Sequence, residues 1–253
     1  MSAILEAVRE RAVELWIREG ILDRTMKMVA GPLSVEQAIG TPDGEDFPLQ
    51  QGKELLMEAG FDGNAMEGAR GQAFTDEPGS YTGTLGEIAA LPLDSNFHRA
   101  VFVAALNAAM RGLGRTGHTV HCRNHGPRDC AAMLPEFVRA EFGTPKVAHV
   151  GFQPTMIEAL NKELAVRVLD LDPDNIGQVK RGVLVEGPEA TEQVLAWADL
   201  ITVTGTVLGN GTIDQFIDVT GAGLAGKPVV FYGTTIAGAA DLMGWRRYCP
   251  LGA

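Results

Sequence analysis

Two histidines and two cysteines fall within ten residues in the middle of the chain. They are His121, Cys122, His125 and Cys130. Thiolate and imidazole ligands suit zinc, iron, nickel or copper. The spacing of the two cysteines does not match structural zinc sites, which use closely spaced cysteine pairs. The segment therefore predicts contact with a metal ion or a metal chelate, while a thiol with another role and a purely structural role stay open alternatives.

Cys130 stands near the start of a predicted helix. The positive end of a helix dipole favours a thiolate. We therefore expect Cys130, if it is functional, to titrate below an ordinary thiol. The third cysteine, Cys249, lies in the last segment of the chain, beside Trp245 and two arginines that either cover a sheet edge or close over a ligand.

A glycine-rich stretch near the C-terminal end has the pattern of a strand that turns into a helix. Residues 200–208 are mostly apolar and β-branched, as in a strand buried on both faces. Gly209 to Gly211 interrupt the strand, and Thr212 with Gln215 has the spacing of a capping box. Such a turn leaves backbone N–H groups free at the carboxyl edge of a sheet, where α/β folds bind ligands. The alternative is a turn that needs glycine only for its backbone angles. The residues expected to bind a ligand here are Gly205, Thr206, Asn210 and Thr212.

A second ligand-binding pattern begins at Gly151, which ends a predicted strand just before a helix that starts near Pro154. Asp170 ends the next strand, where an acidic side chain accepts hydrogen bonds from ribose hydroxyls in dinucleotide-binding folds. The loop lacks the glycines that let a pyrophosphate approach the backbone, so an adenosyl group suits it better than a dinucleotide. The alternative is that Asp170 and Asp172 are solvated carboxylates at a strand end.

Asn107 is a polar residue on or beside the apolar face of a predicted helix that Ser95 caps. A buried amide must be hydrogen-bonded. Asn107 therefore either ties the helix to a neighbouring backbone or points into a cleft, and both readings stay open.

The string VTGTVLGNGTID, residues 203–214, resembles the signature of the bacterial and archaeal family described as putative heavy-metal chelation. The resemblance extends over nearly the whole chain and is weaker away from this signature. It implies an enolase-type N-terminal domain, a Rossmann-like C-terminal domain and a site in the cleft between them. The family pattern also contains an HC…P..C segment, which corresponds to His121, Cys122 and Cys130, and an Asn-Ala pair at the end of the helix that carries Asn107. His125 is not part of that pattern.

The order of predicted elements agrees with this architecture. Asp62, Gly63 and Asn64 give the strongest hairpin signal, so the first half contains antiparallel strands. From Lys146 onward strands alternate with helices, as in a parallel sheet. We predict an α/β protein with an α+β enolase N-terminal-like domain at residues 1–145 and a Rossmann-like domain at residues 146–253. The strands that begin near Lys146, Leu164, Leu200 and Pro228 are expected to be adjacent in a mainly parallel sheet.

Composition excludes several classes of partner. The formal net charge of −11, with the acidic residues scattered, argues against binding to nucleic acid or to anionic membranes. No apolar run is long enough to span a membrane, and the charged first sixteen residues do not resemble a signal peptide. Three cysteines suggest free thiols and a cytoplasmic location. The motifs of the common hydrolases and ATPases are not found.

These patterns favour a protein that binds a metal ion or small metal chelate in an interdomain cleft. The alternatives are an enzyme that acts on or with an adenosyl or phosphorylated molecule on the Rossmann-like half, and a scaffold or ligand-binding protein of another kind. The identity of the metal or ligand, any reaction and the oligomeric state do not follow from the sequence.

Overall fold

The first half of the chain forms an antiparallel sheet of four strands. The computed structural model describes residues 2–28, 33–42, 49–63, 66, 68–218 and 220–253. The strands of this sheet are β1 (Thr25–Met28), β2 (Leu55–Phe61), β3 (Arg70–Thr75) and β4 (Thr82–Thr84). Their order is β3-β2-β1-β4. The helices of this half are α1 (Ala3–Arg18), α2 (Val35–Ile39), α3 (Leu85–Ala89), α4 (Asn96–Gly112) and α5 (Gly126–Phe142).

The predicted hairpin is confirmed by the antiparallel pairing of β2 with β3. Leu55 lies opposite Thr75 and Gly60 lies opposite Arg70. Asn64, the last residue of the turn signal, lies outside the described residues. The pairing brings the start of β2 and the end of β3 to the same end of the sheet.

Helix α4 packs on β2 and β3 and joins the two halves of the molecule. The hydroxyl of Ser95 accepts a hydrogen bond from the N–H of His98, as the sequence predicts for the cap of this helix. Eleven consecutive residues from Ala100 to Met110 are buried, because α4 lies between the antiparallel sheet on one side and helix α9 (Ala237–Met243) on another. Trp16 of α1 packs on Phe102 of α4, with ring centroids 6.1 Å apart.

The second half forms a seven-stranded, mainly parallel sheet. Its strands are β5 (Val147–Val150), β6 (Val166–Leu169), β7 (Val179–Lys180), β8 (Val183–Glu186), β9 (Leu200–Thr204), β10 (Val229–Tyr232) and β11 (Arg247–Tyr248). Their order is β11-β10-β9-β5-β6-β8-β7. The remaining helices are α6 (Pro154–Asn161), α7 (Thr191–Trp197) and α8 (Thr206–Gly209). The four strands predicted to be adjacent are β10, β9, β5 and β6, which pair parallel in this order.

Both edges of this sheet carry short strands that the sequence patterns do not predict. At one edge β7 pairs antiparallel with β8, and at the other β11 pairs parallel with β10. Strand β11 contains Arg247, so the last segment of the chain covers a sheet edge.

The glycine-rich stretch differs from its prediction. Strand β9 ends at Thr204, and the next residues form the short helix α8 instead of continuing the strand to Leu208. A Cβ atom at Gly205 would lie 2.7 Å from the backbone nitrogen of Ile236, so this close approach requires glycine. The predicted capping box does not form, because Thr212 makes no side-chain cap and only a short 3-10 turn follows.

The fold class is confirmed as a mixed α/β structure with one antiparallel and one mainly parallel sheet. One hydrophobic core contains residues of both halves, among them Met57, Phe102, Val150 and Val203. The domain boundary near residues 143–146 stays a prediction; it falls in the link between α5 and β5. In the part of the chain that the structure describes, no helix is long and apolar enough to cross a membrane.

Candidate functional site

A cleft of about 790 Å³ lies at the carboxyl edge of the parallel sheet. Strands β5, β6, β9 and β10 all end at this cleft, because parallel strands present their carboxyl ends at one edge. The end of the β2–β3 hairpin and the first turns of α5 form the opposite wall. The cleft therefore lies between elements of the two halves.

Nine of the ten predicted site residues line this cleft. They are His121, Cys122, Cys130, Gly151, Asp170, Gly205, Thr206, Asn210 and Thr212. Sequence reasoning placed them from three separate patterns, and the fold brings the three patterns to one space.

Asn107, the tenth predicted site residue, does not line the cleft. Its side chain is fully buried, and its Nδ2 lies 2.8, 3.2 and 3.0 Å from the carbonyl oxygens of Gln72, Thr234 and Thr235. Its Oδ1 accepts a hydrogen bond of 2.6 Å from the N–H of Gly238. These contacts correspond to the tie that the sequence left open, since they join α4 to β3 and to the start of α9.

Three backbone N–H groups of the glycine-rich turn already have hydrogen-bond acceptors within the protein. The N–H of Asn210 donates to the carbonyl of Thr206 and that of Thr212 donates to the carbonyl of Val207, each over 2.9 Å. The N–H of Thr206 donates to the hydroxyl of Thr204. The expectation of unpaired N–H groups is therefore wrong at Thr206, Asn210 and Thr212, because α8 closes its own turn.

Asp170 positions two loops at the cleft. Its carboxylate accepts hydrogen bonds from the N–H of Phe152 (2.7 Å), the N–H of Asp172 (2.9 Å) and the Nδ2 of Asn175 (3.0 Å). Three of its acceptor positions are therefore used inside the protein. This arrangement does not favour ribose recognition by Asp170.

Gly151 allows three elements to meet at the end of β5. Its φ of +96° lies in the left-handed region, and a Cβ atom here would lie 2.7 Å from Cγ2 of Thr204 and 3.0 Å from the hydroxyl of Tyr232. The Tyr232 hydroxyl donates to the carbonyl of Val150 over 2.8 Å. The glycine therefore has a packing role beside the cleft.

Three thiols and one imidazole form what we call the thiol end of the cleft: His121, Cys122, Cys130 and Cys249. Sequence reasoning did not include Cys249. The C-terminal residues reach the cleft because Val120 and Ala253 exchange two backbone hydrogen bonds of 3.0 and 2.8 Å. This pairing is a long-range contact, so no local sequence signal could have identified it.

Burial, and then the neighbouring Cys249, together raise the pKa of Cys122 to about 12. Burial also raises the pKa of Cys130 to about 12, with additional effects of Cys249 and Cys122. The prediction that Cys130 titrates below an ordinary thiol is therefore wrong. A helix terminus stabilises a charge by about 1 kcal/mol, which is less than the cost of placing a thiolate in a buried site.

His121 offers a free lone pair at this end. Its Nδ1 lies 2.6 Å from the carbonyl oxygen of Cys122, so Nδ1 carries the proton and Nε2 is left as an acceptor. Burial lowers the pKa of His121, which favours the neutral ring. Within the described ranges, however, no three His, Cys, Asp or Glu side chains are close enough together to hold a metal ion.

Carboxylates form the carboxylate end of the cleft: Glu54, Asp76, Asp170, Asp172 and Asp174. Burial, and then the charges of Asp170, Asp76 and Asp172, raise the pKa of Glu54 to about 7. Sequence reasoning missed Glu54, because a glutamate just before a strand has no distinguishing pattern. Only the approach of the hairpin to the parallel sheet places it beside other carboxylates.

Hydroxyl groups line the floor between the two ends. They belong to Thr204, Thr206, Tyr232, Thr234 and Thr235. The hydroxyl of Thr235 accepts a hydrogen bond of 3.2 Å from the N–H of Phe74, which fixes the hairpin to the end of β10. The hydroxyl of Thr234 is buried and has no hydrogen-bond partner among the described residues.

Residues 136–242 match the sequence profile of the DUF364 family, which is described as putative heavy-metal chelation. The resemblance seen in the sequence is thereby confirmed for this segment. A search of curated proteins gave no match.

Two solved structures from the same family are similar in fold. A protein with unknown function from Pyrococcus horikoshii is 16% identical, with a TM-score of 0.53 over 92% of this chain and 79% of that chain. One from Desulfitobacterium hafniense is 14% identical, with a TM-score of 0.52 over 94% of this chain and 82% of that chain. Likeness at these identities concerns the fold alone.

Proposed function

We propose that the cleft binds a small metal chelate, an organic molecule that carries a soft metal ion, and that the thiol end contacts the metal. The observation that carries this proposal is that all three cysteine thiols and the His121 imidazole line one end of a single cleft. Thiolates and imidazoles are the donors that soft and borderline metals prefer. The family description of residues 136–242 points to the same chemistry.

A chelate fits the cleft better than a bare metal ion does. Protein sites for a bare transition metal bring at least three side chains to one point, and the described residues contain no such group. The cleft also has the volume of a site for an organic ligand. A chelator that supplies most of the metal ligands needs only one or two donors from the protein. The contacts of Asp170 give no support to an adenosyl ligand, so we propose no second function.

Equilibrium dialysis of the reduced protein under anaerobic conditions tests the proposal. The probes are Cd²⁺ alone and the neutral complex of Cd²⁺ with iminodiacetate, which leaves coordination positions open. We expect the complex to bind at least tenfold more tightly, about 1.4 kcal/mol, and to give a thiolate-to-cadmium charge-transfer band. Because thiols with a pKa of about 12 must lose their protons, the affinity should rise with pH.

The variants identify the donors. Cys122→Ser, Cys130→Ser and Cys249→Ser combined should remove the charge-transfer band and weaken binding of the complex at least tenfold. Met156→Leu changes another side chain of the same cleft at nearly constant volume, so it should leave both readouts unchanged. Equal binding of the complex by the wild type and by the triple cysteine variant would contradict the proposal, as would tighter binding of free Cd²⁺.

A further inference from the structure

Glu54 is the one member of the carboxylate end that lacks a hydrogen-bond partner among the described residues. Asp76 accepts a hydrogen bond of 2.6 Å from Nδ2 of Asn96, and Asp170 accepts the three bonds described above. The remaining two carboxylates, Asp172 and Asp174, are paired with Lys53 at 2.5 and 3.0 Å. A carboxylate in a partly closed cleft is costly unless something neutralises it or hydrogen-bonds to it. Glu54 is therefore the one carboxylate of this end for which the described residues supply neither a hydrogen bond nor a counter-ion.

Thr234 gives an independent indication of a ligand in the cleft. It lines the cleft with only 1% of its surface exposed, and its hydroxyl has no partner in the described part of the chain. Buried hydroxyl groups almost always have one. The next residue, Thr235, does have a partner, the N–H of Phe74. One of two consecutive threonines thus supports the fold, and the other has a hydroxyl without a partner buried in the wall of the cleft.

The topology fixes the end of the hairpin, which carries Glu54, against the segment that carries Thr234. Leu55 pairs with Thr75, so Glu54 stands at the end of the hairpin, close in the ladder to Phe74. The bond from Phe74 to Thr235 fixes this end against the end of β10. Tyr232, two residues before Thr234, is near enough for the charge of Glu54 to act on its hydroxyl.

The negative charge of the carboxylate end favours a cationic ligand. Among the described lining residues Lys53 is the only lysine or arginine, and its ammonium group is already paired with two aspartates. A hard metal ion would need several carboxylates around one point, and no such group of three occurs in the described ranges. A primary ammonium instead needs only a few acceptors of mixed type, since it is a compact charge with three donors.

We propose that the carboxylate end of the cleft binds a protonated primary amine of the ligand, with Glu54 as its counter-ion and the Thr234 hydroxyl as a second acceptor. The inference names the organic part of the proposed chelate and in that sense rests on the proposed function. The ligand would carry an amine at one end and the metal nearer the other. Because Glu54 has a pKa of about 7, binding of the amine should release protons near neutral pH.

Calorimetric titration of the metal-free protein with butylamine tests the proposal, with butanol as the neutral probe of the same shape. At about pH 8, where Glu54 is ionised, we expect butylamine to bind at millimolar concentration and butanol not to bind. Glu54→Gln should weaken butylamine binding at least tenfold, and Thr234→Val should weaken it a few-fold. Asp174→Asn removes a carboxylate at the same end whose pairing with Lys53 is shared with Asp172, so it should change the affinity less than threefold.

Three outcomes would overturn the proposal. The first is that butylamine and butanol bind equally or that neither binds. The second is that Glu54→Gln leaves butylamine binding unchanged. The third is that Mg²⁺ or Ca²⁺ binds more tightly than butylamine in a way that depends on Glu54. The cysteine variants serve to separate the two proposals. The triple cysteine variant should leave butylamine binding intact, so failure of the amine site and failure of metal binding are seen in different experiments.

Discussion

Asn107 and Glu54 are polar side chains near the junction between the two halves of the molecule, and their surroundings differ in one respect. The amide of Asn107 is buried within hydrogen-bonding distance of three carbonyl groups and one N–H group. The carboxylate of Glu54 faces the cleft among other carboxylates, with no hydrogen-bond partner in the described residues. The Asn107 side chain holds elements of the fold together. The Glu54 side chain makes no hydrogen bond to the described part of the chain.

The comparison gives a physical criterion for separating structural from functional polar residues. A buried group whose hydrogen bonds are all made within the chain stabilises the native state. A group left without a partner, or held among like charges, destabilises it and is retained where a ligand supplies the missing interaction. Mutation should therefore change stability in opposite directions at the two positions.

The largest effect is expected for Asn107→Ala. It removes the side-chain acceptor of the Gly238 N–H and the donor to the carbonyl groups of Gln72, Thr234 and Thr235 at a fully buried position, and it creates a cavity. We expect a loss of about 3 kcal/mol in the free energy of unfolding, measured by urea denaturation. Asn161→Ala removes an exposed amide contact and should change stability by about 0.5 kcal/mol or less. A loss below 1 kcal/mol at Asn107 would show that the tie is not structural.

Glu54→Gln should act in the opposite direction and depend on pH. The folded-state pKa of about 7 is above the ordinary value of 4.5, so ionisation of Glu54 lowers stability as pH rises from 4.5 through 7. The variant lacks this loss. It should be more stable than the wild type by roughly 1–2 kcal/mol above about pH 8, because partial exposure reduces the full shift, and about equally stable near pH 4.

The measurement is thermal or urea unfolding of both proteins across this pH range. Asp174→Asn provides the control: it removes an exposed carboxylate at the same end of the cleft that is paired with Lys53, so it should not stabilise the protein above pH 8. If the stability difference between Glu54→Gln and the wild type does not grow with pH, the ionised carboxylate of Glu54 does not destabilise the fold.

Thr234 and Thr235 allow the same comparison, of a hydroxyl with a partner and one without, at two consecutive residues. Thr235→Val leaves the N–H of Phe74 without its acceptor and should cost about 1 kcal/mol. Thr234→Val removes a hydroxyl that has no partner among the described residues, so it should be neutral or slightly stabilising. Denaturant unfolding of the two variants compares the same chemical change at neighbouring positions. Equal losses would mean that the Thr234 hydroxyl is already bonded within the protein.

Much of the fold follows from local patterns. The hairpin, the Ser95 cap and the four adjacent parallel strands were predictable, because turn chemistry, caps and βαβ rhythm act over short distances in the chain. The position at which β9 ends was not predictable from local patterns. Residues 206–208 have side chains that are compatible with a strand, but the close approach of Gly205 to Ile236 and the helical turn of α8 override that preference.

For the site, the sequence by itself determined the residue types: three cysteines, a histidine beside one of them, and glycines and carboxylates at strand ends. Tertiary structure decided which of them share a space. Cys249 reaches the thiol end because Val120 pairs with Ala253. Burial and the carboxylates of the parallel sheet raise the pKa of Glu54 only because the hairpin is fixed against β10. The pKa of Cys130 was decided in the same way, because the desolvation of a thiol depends on everything packed around it and exceeds the local effect of a helix terminus.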